Sequence, residues 1–502
     1  MLLDEVVRTS QAVASTPARS AKVASLAALL RRLEGPGEAE AAVAFLTGRP
    51  RQGRIGVGWA TLRAVDPPAA GRSSLRVLDL DAAVAALGAC AGPGSAAARH
   101  AVLVDLLGRA TPAEADFVRR LLLGDLRQGA LDGVMADAVA RAAAVPAPVV
   151  RRAVMLAGDL PRVAAVALAE GEPGLSAIGL EVLRPVLPML ASTAGDVAAA
   201  LADLGPSSVE WKLDGARIQA HRRGTVVRLF TRNLNEVTGR LPAVAAAVAA
   251  LPVTEVVLDG EVLGVGDDGP EAFQATMSSF GRRSGPPGPA TLGVWFFDCL
   301  HLDGRDLLDR PLSERAAALD ATGAPRVPAL ATSDVDAALA FQARALAAGH
   351  EGVMVKALSS PYEAGRRGAA WRKVKPAHTL DLAVLGAEWG SGRRRGWLSN
   401  LHLGARQPAG GFVMVGKTFK GLTDALLRWQ TAELLAREAG RSGPVVTIDP
   451  PLVVEVAVDG VQASTRYPGG VALRFARVRR YRPDKGPADA DTIDAVRSLL
   501  AR

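Results

Sequence analysis

Glu210-Trp211-Lys212-Leu213-Asp214-Gly215-Ala216-Arg217 is the stretch on which the reading of this chain turns. Of 59 lysines and arginines only eight are lysines: Lys22, Lys212, Lys356, Lys373, Lys375, Lys417, Lys420 and Lys485. In a chain that takes nearly all its positive charge from arginine, a retained lysine is a candidate for work a guanidinium cannot do, because an amine can lose its proton and attack. Lys212 stands alone between residues 23 and 355. Ser208 to Leu213 reads as a short strand, so Glu210 and Lys212 share one face while Trp211 and Leu213 take the other. Asp214-Gly215 then breaks the strand, and the glycine lets a ligand come close to the backbone. Alone, the tetrapeptide does not separate this from a surface lysine before an ordinary Asp-Gly hairpin turn.

A chain of 502 residues exceeds a single core, and roughly three domains of about 150 residues each are expected. Its 49% hydrophobic and 22% charged residues suit a globular protein. A net charge of +8 and a pI near 9.9 favour a polyanionic partner such as nucleic acid without requiring one. Cys90 and Cys299 are the only cysteines, which excludes a disulfide framework or a Cys-rich zinc module and fits a reducing compartment. Asp4 and Glu5 stand where a signal peptide needs basic residues, and no apolar run reaches a membrane span. A soluble, cytoplasmic protein without a membrane partner is expected.

Residues 1 to about 190 read as helical. Leu26, Leu29, Leu30 and Leu33 fall at the i, i+3, i+4, i+7 spacing of one buried stripe, ended by Gly35-Pro36-Gly37. Thr111 begins another helix, with Pro112 in its first turn, Glu114 completing a capping box, and Phe117 and Leu121 turned inward. Arg49 to Arg54 and Gly124 to Gly129 join arginine to glycine in loops, which can offer amides and guanidinium groups to phosphates or simply be solvated. A proline-marked connector, Arg184 to Leu190, closes the region. From Ser207 strands alternate with Ala-rich helices: Val226 to Thr231, Val256 to Leu263 with a hairpin through Gly266 to Gly269, and Gly293 to Cys299. The Gly/Pro-rich stretch Arg282 to Pro289 is expected to be a mobile loop.

From Thr379 short strands dominate: Leu380 to Leu385, Leu401 to Leu403, Phe412 to Val415, Leu452 to Val458 and Val471 to Arg477, with one helix from Thr423 to Glu438. This pattern suggests a small barrel, of which the oligonucleotide-binding (OB) fold is the commonest example. The expected domains are 1–190, 191–376 and 377–502.

Five further clusters follow Lys212: Arg232-Asn233 after a strand, Asp259-Gly260-Glu261, Glu351 to Lys356, Trp371-Arg372-Lys373-Val374-Lys375, and Arg482-Pro483-Asp484-Lys485. Singly, each is as well read as a structural ion pair or a solvated edge. Jointly, lysines, arginines and two carboxylates suit phosphoryl transfer through a covalent nucleotide, with metal held by acids and phosphate charge met by fixed cations. No Gly-x-x-x-x-Gly-Lys-Ser/Thr loop is present, which disfavours a P-loop ATPase.

In order and rough spacing these clusters resemble the motifs of ATP-dependent DNA ligases of the covalent nucleotidyltransferase superfamily. The resemblance covers about residues 184 to 490, and more weakly the helical third, where Leu122 to Ala130 is similar to a segment of the DNA-binding domain of larger ligases. It implies a multidomain clamp: an all-α DNA-binding domain, an α/β mixed-sheet adenylation domain and an all-β OB-fold domain, closing as a monomer around nicked duplex DNA. ATP and Mg2+ are the implied cofactors. The resemblance implies that Lys212, with Asp214 beside it, is catalytic and carries AMP. Glu210 would sit by the adenine and Phe297 would stack on it, with Lys356 in the same nucleotide-binding set. Arg217 and Arg232 would bind ribose or nick phosphate, and Glu261 and Glu351 would position magnesium and the ribose. Lys373 and Lys375 would contact the α-phosphate, and Arg482 and Lys485 would orient the leaving pyrophosphate. Arg393-Arg394-Arg395 could follow the DNA backbone or be a solvated turn.

An RNA-capping enzyme or RNA ligase would share Lys-x-Asp-Gly, but the helical first region and the Arg482 to Lys485 cluster favour DNA ligase. An NAD-dependent ligase would normally bring a zinc module, which two cysteines cannot build. A catalytically dead DNA-binding clamp is the reading of a different class, and the retained lysines argue against it.

Overall fold

The hydrophobic patterns resolve into helices first and sheets afterwards. The computed structural model describes the chain except residues 54, 127, 130–131, 267–268, 271–290, 364–366, 376–377 and 501–502, and except the side chains of 265–266, 269–270, 291, 367–369 and 393. The stretch 282–289, the loop arginines Arg54 and Arg127, and Pro376 therefore lie outside the described residues. Among the described residues ten α-helices lie between Leu3 and Ser176, and no helix is long and apolar enough to cross a membrane. Their apolar stripes meet in one core that includes Leu26, Leu30, Phe45, Leu80, Phe117, Leu121 and Val139.

The Thr111 capping box forms as its chemistry dictates: the Glu114 carboxylate accepts from Thr111 N at 2.8 Å and also from Ser73 Oγ at 2.6 Å. Gly35-Pro36-Gly37 behaves differently from expectation. The leucine helix stops at Leu30, leaving Leu33 outside it, and Pro36 opens the next helix, Pro36–Leu46, with Gly35 at φ 82° as its N-cap. A proline has no amide to lose in a first turn, so it starts a helix as readily as it stops one.

Eleven strands follow among the described residues: β1 (Leu190–Thr193), β2 (Ser207–Trp211), β3 (Ala216–Arg223), β4 (Val226–Thr231), β5 (Glu255–Gly266), β6 (Gly269–Pro270), β7 (Thr291–Leu302), β8 (Arg305–Asp306), β9 (Ala329–Thr332), β10 (Val353–Ala357) and β11 (Arg367–Val374). One sheet runs β1-β11-β10-β2-β9 and is mixed, because β1 lies parallel to β11 while the other pairs are antiparallel. The other runs β4-β3-β5-β7-β8, antiparallel throughout, with β6 closing the expected hairpin on β5. The sheets are tied where Phe296 N donates to Pro325 O and Val327 N to Phe296 O, over an apolar contact of Leu213, Leu263 and Val327. Met155 and Leu156 of the helical region pack with Val186, Met189, Tyr362 and Trp371.

The C-terminal strands are β12 (His378–Trp389), β13 (Leu398–Arg406), β14 (Phe412–Thr418), β15 (Glu438–Ser442), β16 (Val445–Val458), β17 (Gly460–Ala463), β18 (Val471–Arg474) and β19 (Arg477–Tyr481). They form an antiparallel sheet β14-β13-β12-β16-β15, with β19 on β16, and a separate β17-β18 hairpin. The single strand expected over Val471 to Arg477 is two, because Phe475 takes a positive φ of 52° between them. The helix ends at Leu435, and Glu438 belongs to β15.

Asp298 in β7 and Arg315 form a fully buried fork at 2.7 and 3.1 Å. Replacing Asp298 with Ala leaves a buried, uncompensated guanidinium and should cost about 3–5 kcal/mol, read as a lower denaturation midpoint. A loss no larger than that of a surface substitution would show that the pair is not structural.

Candidate active site

The antiparallel register of β2, β10 and β11 builds the site as rows across one sheet face. Ser208 lies opposite Lys356 and Lys356 opposite Trp371; in the next row Glu210 lies opposite Met354 and Met354 opposite Lys373. A third row begins where the strands end: Lys212 N donates to Gly352 O at 2.9 Å, and Glu351 N to Lys212 O at 3.1 Å. Period-two alternation therefore puts Glu210, Lys212 and Lys373 on a common face. Gly352 is required at its position, since its φ is +135° and a Cβ there would run into the Val374 carbonyl.

At the end of this face Glu351 is shared by two amines. One oxygen accepts from Lys212 Nζ and the other from Lys375 Nζ at 2.5 Å, and all three side chains are largely buried. Burial pushes the Glu351 carboxyl up, but Lys212 and Lys375 outweigh it and hold the group below the usual carboxylate range. Asp214, two residues beyond Lys212, is held by the C-terminal region: Arg474 Nη1 donates to it at 2.8 Å. Asp459 of the same region approaches Lys375 at 3.6 Å.

On one side of the lysine Glu210 is buried, accepting from Ser208 Oγ at 3.0 Å and pairing with Lys356 at 2.5 Å. Lys356 Nζ lies 4.4 Å from the Phe297 ring centre and 4.3 Å from that of Trp371. On the other side the Arg217 fork grips Asp259 at 3.0 and 2.6 Å, while its Nη1 donates to Met189 O at 2.7 Å. Tyr362 OH donates to the same Asp259 carboxylate at 2.7 Å. Glu261, opposite Arg217 in the β3-β5 ladder, has its carboxyl pushed up to about 7 by burial, against the pull of Lys212 and Arg217. Arg232 and Arg217 line one small cleft with Pro188 and Leu234.

Arg482 and Lys485 take other partners. Both donate to Asp381, at 3.0 and 2.6 Å, and the contact to Asp214 comes instead from Arg474. In the first region two of the loop arginines are also paired: Arg51 with Asp81 at 2.5 Å and Arg49 with Asp132 at 3.0 Å.

Comparison with known proteins then bears on this geometry. Residues 188–375 match the family model for the ATP dependent DNA ligase domain, and 394–485 that for the ATP dependent DNA ligase C terminal region. A "Probable DNA ligase" of Rhodococcus opacus (strain B4) is 57% identical over 504 residues, covering 100% of both chains. One of Saccharopolyspora erythraea is 57% identical over 502 residues, covering 99% of this chain and 98% of the relative. The chain belongs to the ATP-dependent DNA ligases. A solved structure, "Pmar-Lig_PreS3", covers 95% of this ligase and 99% of itself with a TM-score of 0.64 and 18% identity, a likeness of fold alone.

Such a ligase seals nicks in DNA by forming an enzyme–adenylate, passing AMP to the 5′-phosphate and displacing it with the 3′-hydroxyl. Arg474, Asp459, Tyr362 and Ser208 complete the cluster and were not singled out by sequence. Arg474 is hidden among many arginines, and only the Asp459-Gly460 turn signal lay near its hairpin.

The raised Glu261 carboxyl gives a signed pH effect. The folded protein binds this proton more tightly than the unfolded chain, so stability is lost as pH rises from about 4.5 to about 7. In nucleotide-free, metal-free ligase, Glu261→Gln should therefore gain thermal midpoint relative to the parent between about pH 5 and about pH 8. A difference that stays flat across that range would contradict the assignment.

Proposed function

We propose that Lys212 is the nucleophile of this ligase. Its Nζ attacks the α-phosphorus of ATP, forming the N–P bond as the bond to pyrophosphate breaks. The resulting AMP passes to the 5′-phosphate of a nicked duplex, freeing the lysine, and the 3′-hydroxyl then displaces AMP. The observation that carries this reading is Glu351 gripping both Lys212 and Lys375 at the end of a strand whose next residues, Asp214-Gly215, turn sharply. Lysine attacks as the free amine, and Lys373 and Lys375 stand on the same sheet face beside it. The same two lysines meet the α-phosphate.

Glu210 sits by the adenine and Phe297 stacks on it, with Lys356 beneath both in the nucleotide-binding set. Arg217 and Arg232 serve the ribose or the nick phosphate. Asp214 keeps the turn after Lys212 in place through Arg474. Glu261 and Glu351 are the residues that would hold Mg2+, and the donor set fits: hard carboxylate oxygens, with the Glu261 carboxyl pushed up to about 7 by burial. When bound, the ion would neutralise charge on the phosphates.

The domains we assign are 1–190 for DNA binding, 191–376 for adenylation and 377–502 as an OB-fold, acting as a monomer that encircles DNA. The antiparallel C-terminal sheet supports the last, and the surface supports the ligand: Phe419 and Phe475 are exposed, with Lys420 5.2 Å from the Phe475 ring centre. The exposed pairing of Arg49 with Asp132 does not weaken this, since phosphate can displace a surface carboxylate. A cytoplasmic place in DNA repair, replication or recombination fits this reading.

The test is sealing of a nicked duplex with ATP, NAD and GTP side by side, with Lys212→Arg in parallel. ATP alone should support sealing, and the Arg variant should form no enzyme–AMP because a guanidinium does not deprotonate. Robust labelling of that variant would remove Lys212 from its role.

DNA affinity should fall steeply with salt as counterions are released. Deleting residues 1–190 should weaken nick binding far more than it weakens adenylation. Equal nick affinity of the truncated and full chains would rule out a DNA-binding role for the helical region.

A further inference from the structure

Asp381 lies in β12 opposite Glu455 of β16. Its carboxylate accepts from Arg482 Nη1 at 3.0 and 3.3 Å and from Lys485 Nζ at 2.6 Å. Arg482 completes its fork on Asp484, at 2.9 Å from Nε and 2.6 Å from Nη2, while Arg480 occupies Glu455 at 2.9 Å. Asp381 is itself fixed independently of these cations. Its backbone N donates to the Asp491 carboxylate at 2.8 Å, and its carbonyl accepts from Asp491 N at 2.8 Å. Arg482 is likewise pinned by its backbone, N to Val453 O at 2.9 Å.

Two cations on long, separate stems repel each other and lose rotamer freedom when ordered. A shared anion makes their adjacency favourable before any ligand arrives. Lys485 donates one of its three N–H groups to Asp381 and is 32% exposed, so it can engage an incoming anion without leaving its partner.

We propose that Asp381 is a positioning residue for adenylate formation: it preassembles Arg482 and Lys485 as a two-cation clamp for the polyphosphate tail of the nucleotide. The inference rests on reading Arg482 and Lys485 as the pair that orients the leaving pyrophosphate. Asp381 touches no nucleotide and acts through the pair. The gain comes from ordering completed in advance.

The experiment compares the parent ligase with Asp381→Asn, Asp381→Glu and the double variant Arg482→Ala/Lys485→Ala. Two rates are measured: single-turnover formation of enzyme–AMP from ATP, and sealing of a nick that already carries AMP on its 5′-phosphate. Thermal midpoints are taken alongside. Asn keeps the shape of the side chain and the backbone tie to Asp491 while removing the charge. It should slow enzyme–AMP formation by about tenfold or more, leave sealing within about twofold, and be partly rescued by Asp381→Glu. If the double variant forms enzyme–AMP at the parent rate, the reading of the pair fails and takes the inference with it. If the double variant is slow but Asp381→Asn matches or exceeds the parent, the carboxylate does not position the pair and this inference alone is overturned. Equal losses in both assays would overturn it too, as a structural role.

Discussion

Glu351 joins amines from two different strand ends, Lys212 after β2 and Lys375 after β11, and the remaining features of the site are arranged around that shared carboxylate. Two ammonium groups this close would repel without it. With it, they are held on one face of the sheet, at the end where the chain turns through Asp214-Gly215. The backbone supports the same geometry, because Lys212 N and O are both bonded, to Gly352 O and Glu351 N. The lysine therefore leaves the sheet from a fixed point. Any nucleotide placed here meets cations that are already ordered, which is where a phosphoryl-transfer site gains most of its power.

The fold supplies the walls. The mixed sheet carries Ser208, Glu210, Lys356 and Trp371 on one side, and the antiparallel sheet brings Arg217, Asp259 and Glu261 on the other. Their junction at Phe296, Pro325 and Val327 sets the spacing. The C-terminal region adds a third side through Arg474 and Asp459, while Arg482 and Lys485 stay on their own carboxylates. One small region thus carries two sets of charge, one engaged with the Lys212 turn and one held apart from it. A polar contact of this kind can exchange partners at modest cost.

Much of this was legible in the sequence, for identifiable reasons. The scarcity of lysine makes Lys212, Lys373 and Lys375 visible, and the two-residue period of a strand places Glu210 and Lys212 on one face. The strand Val226 to Thr231 and the Thr111 capping box came out as read, because period and capping chemistry are local. What was lost was non-local or ambiguous. Proline at 36 starts a helix where it was read as an end, a strand over 471–477 is broken by a positive φ at Phe475, and the partners of Arg474, Asp381 and Tyr362 lie about 100 or more residues away in sequence. No spacing rule connects Asp214 to Arg474.

The most direct test of the central claim is to locate the adenylate. The full chain is incubated with ATP and magnesium, digested, and its peptides are sequenced by tandem mass spectrometry. The account predicts AMP on Lys212 and on no other residue. AMP on Lys356, Lys373 or Lys375, or nucleotide that is bound but never covalent, would contradict it.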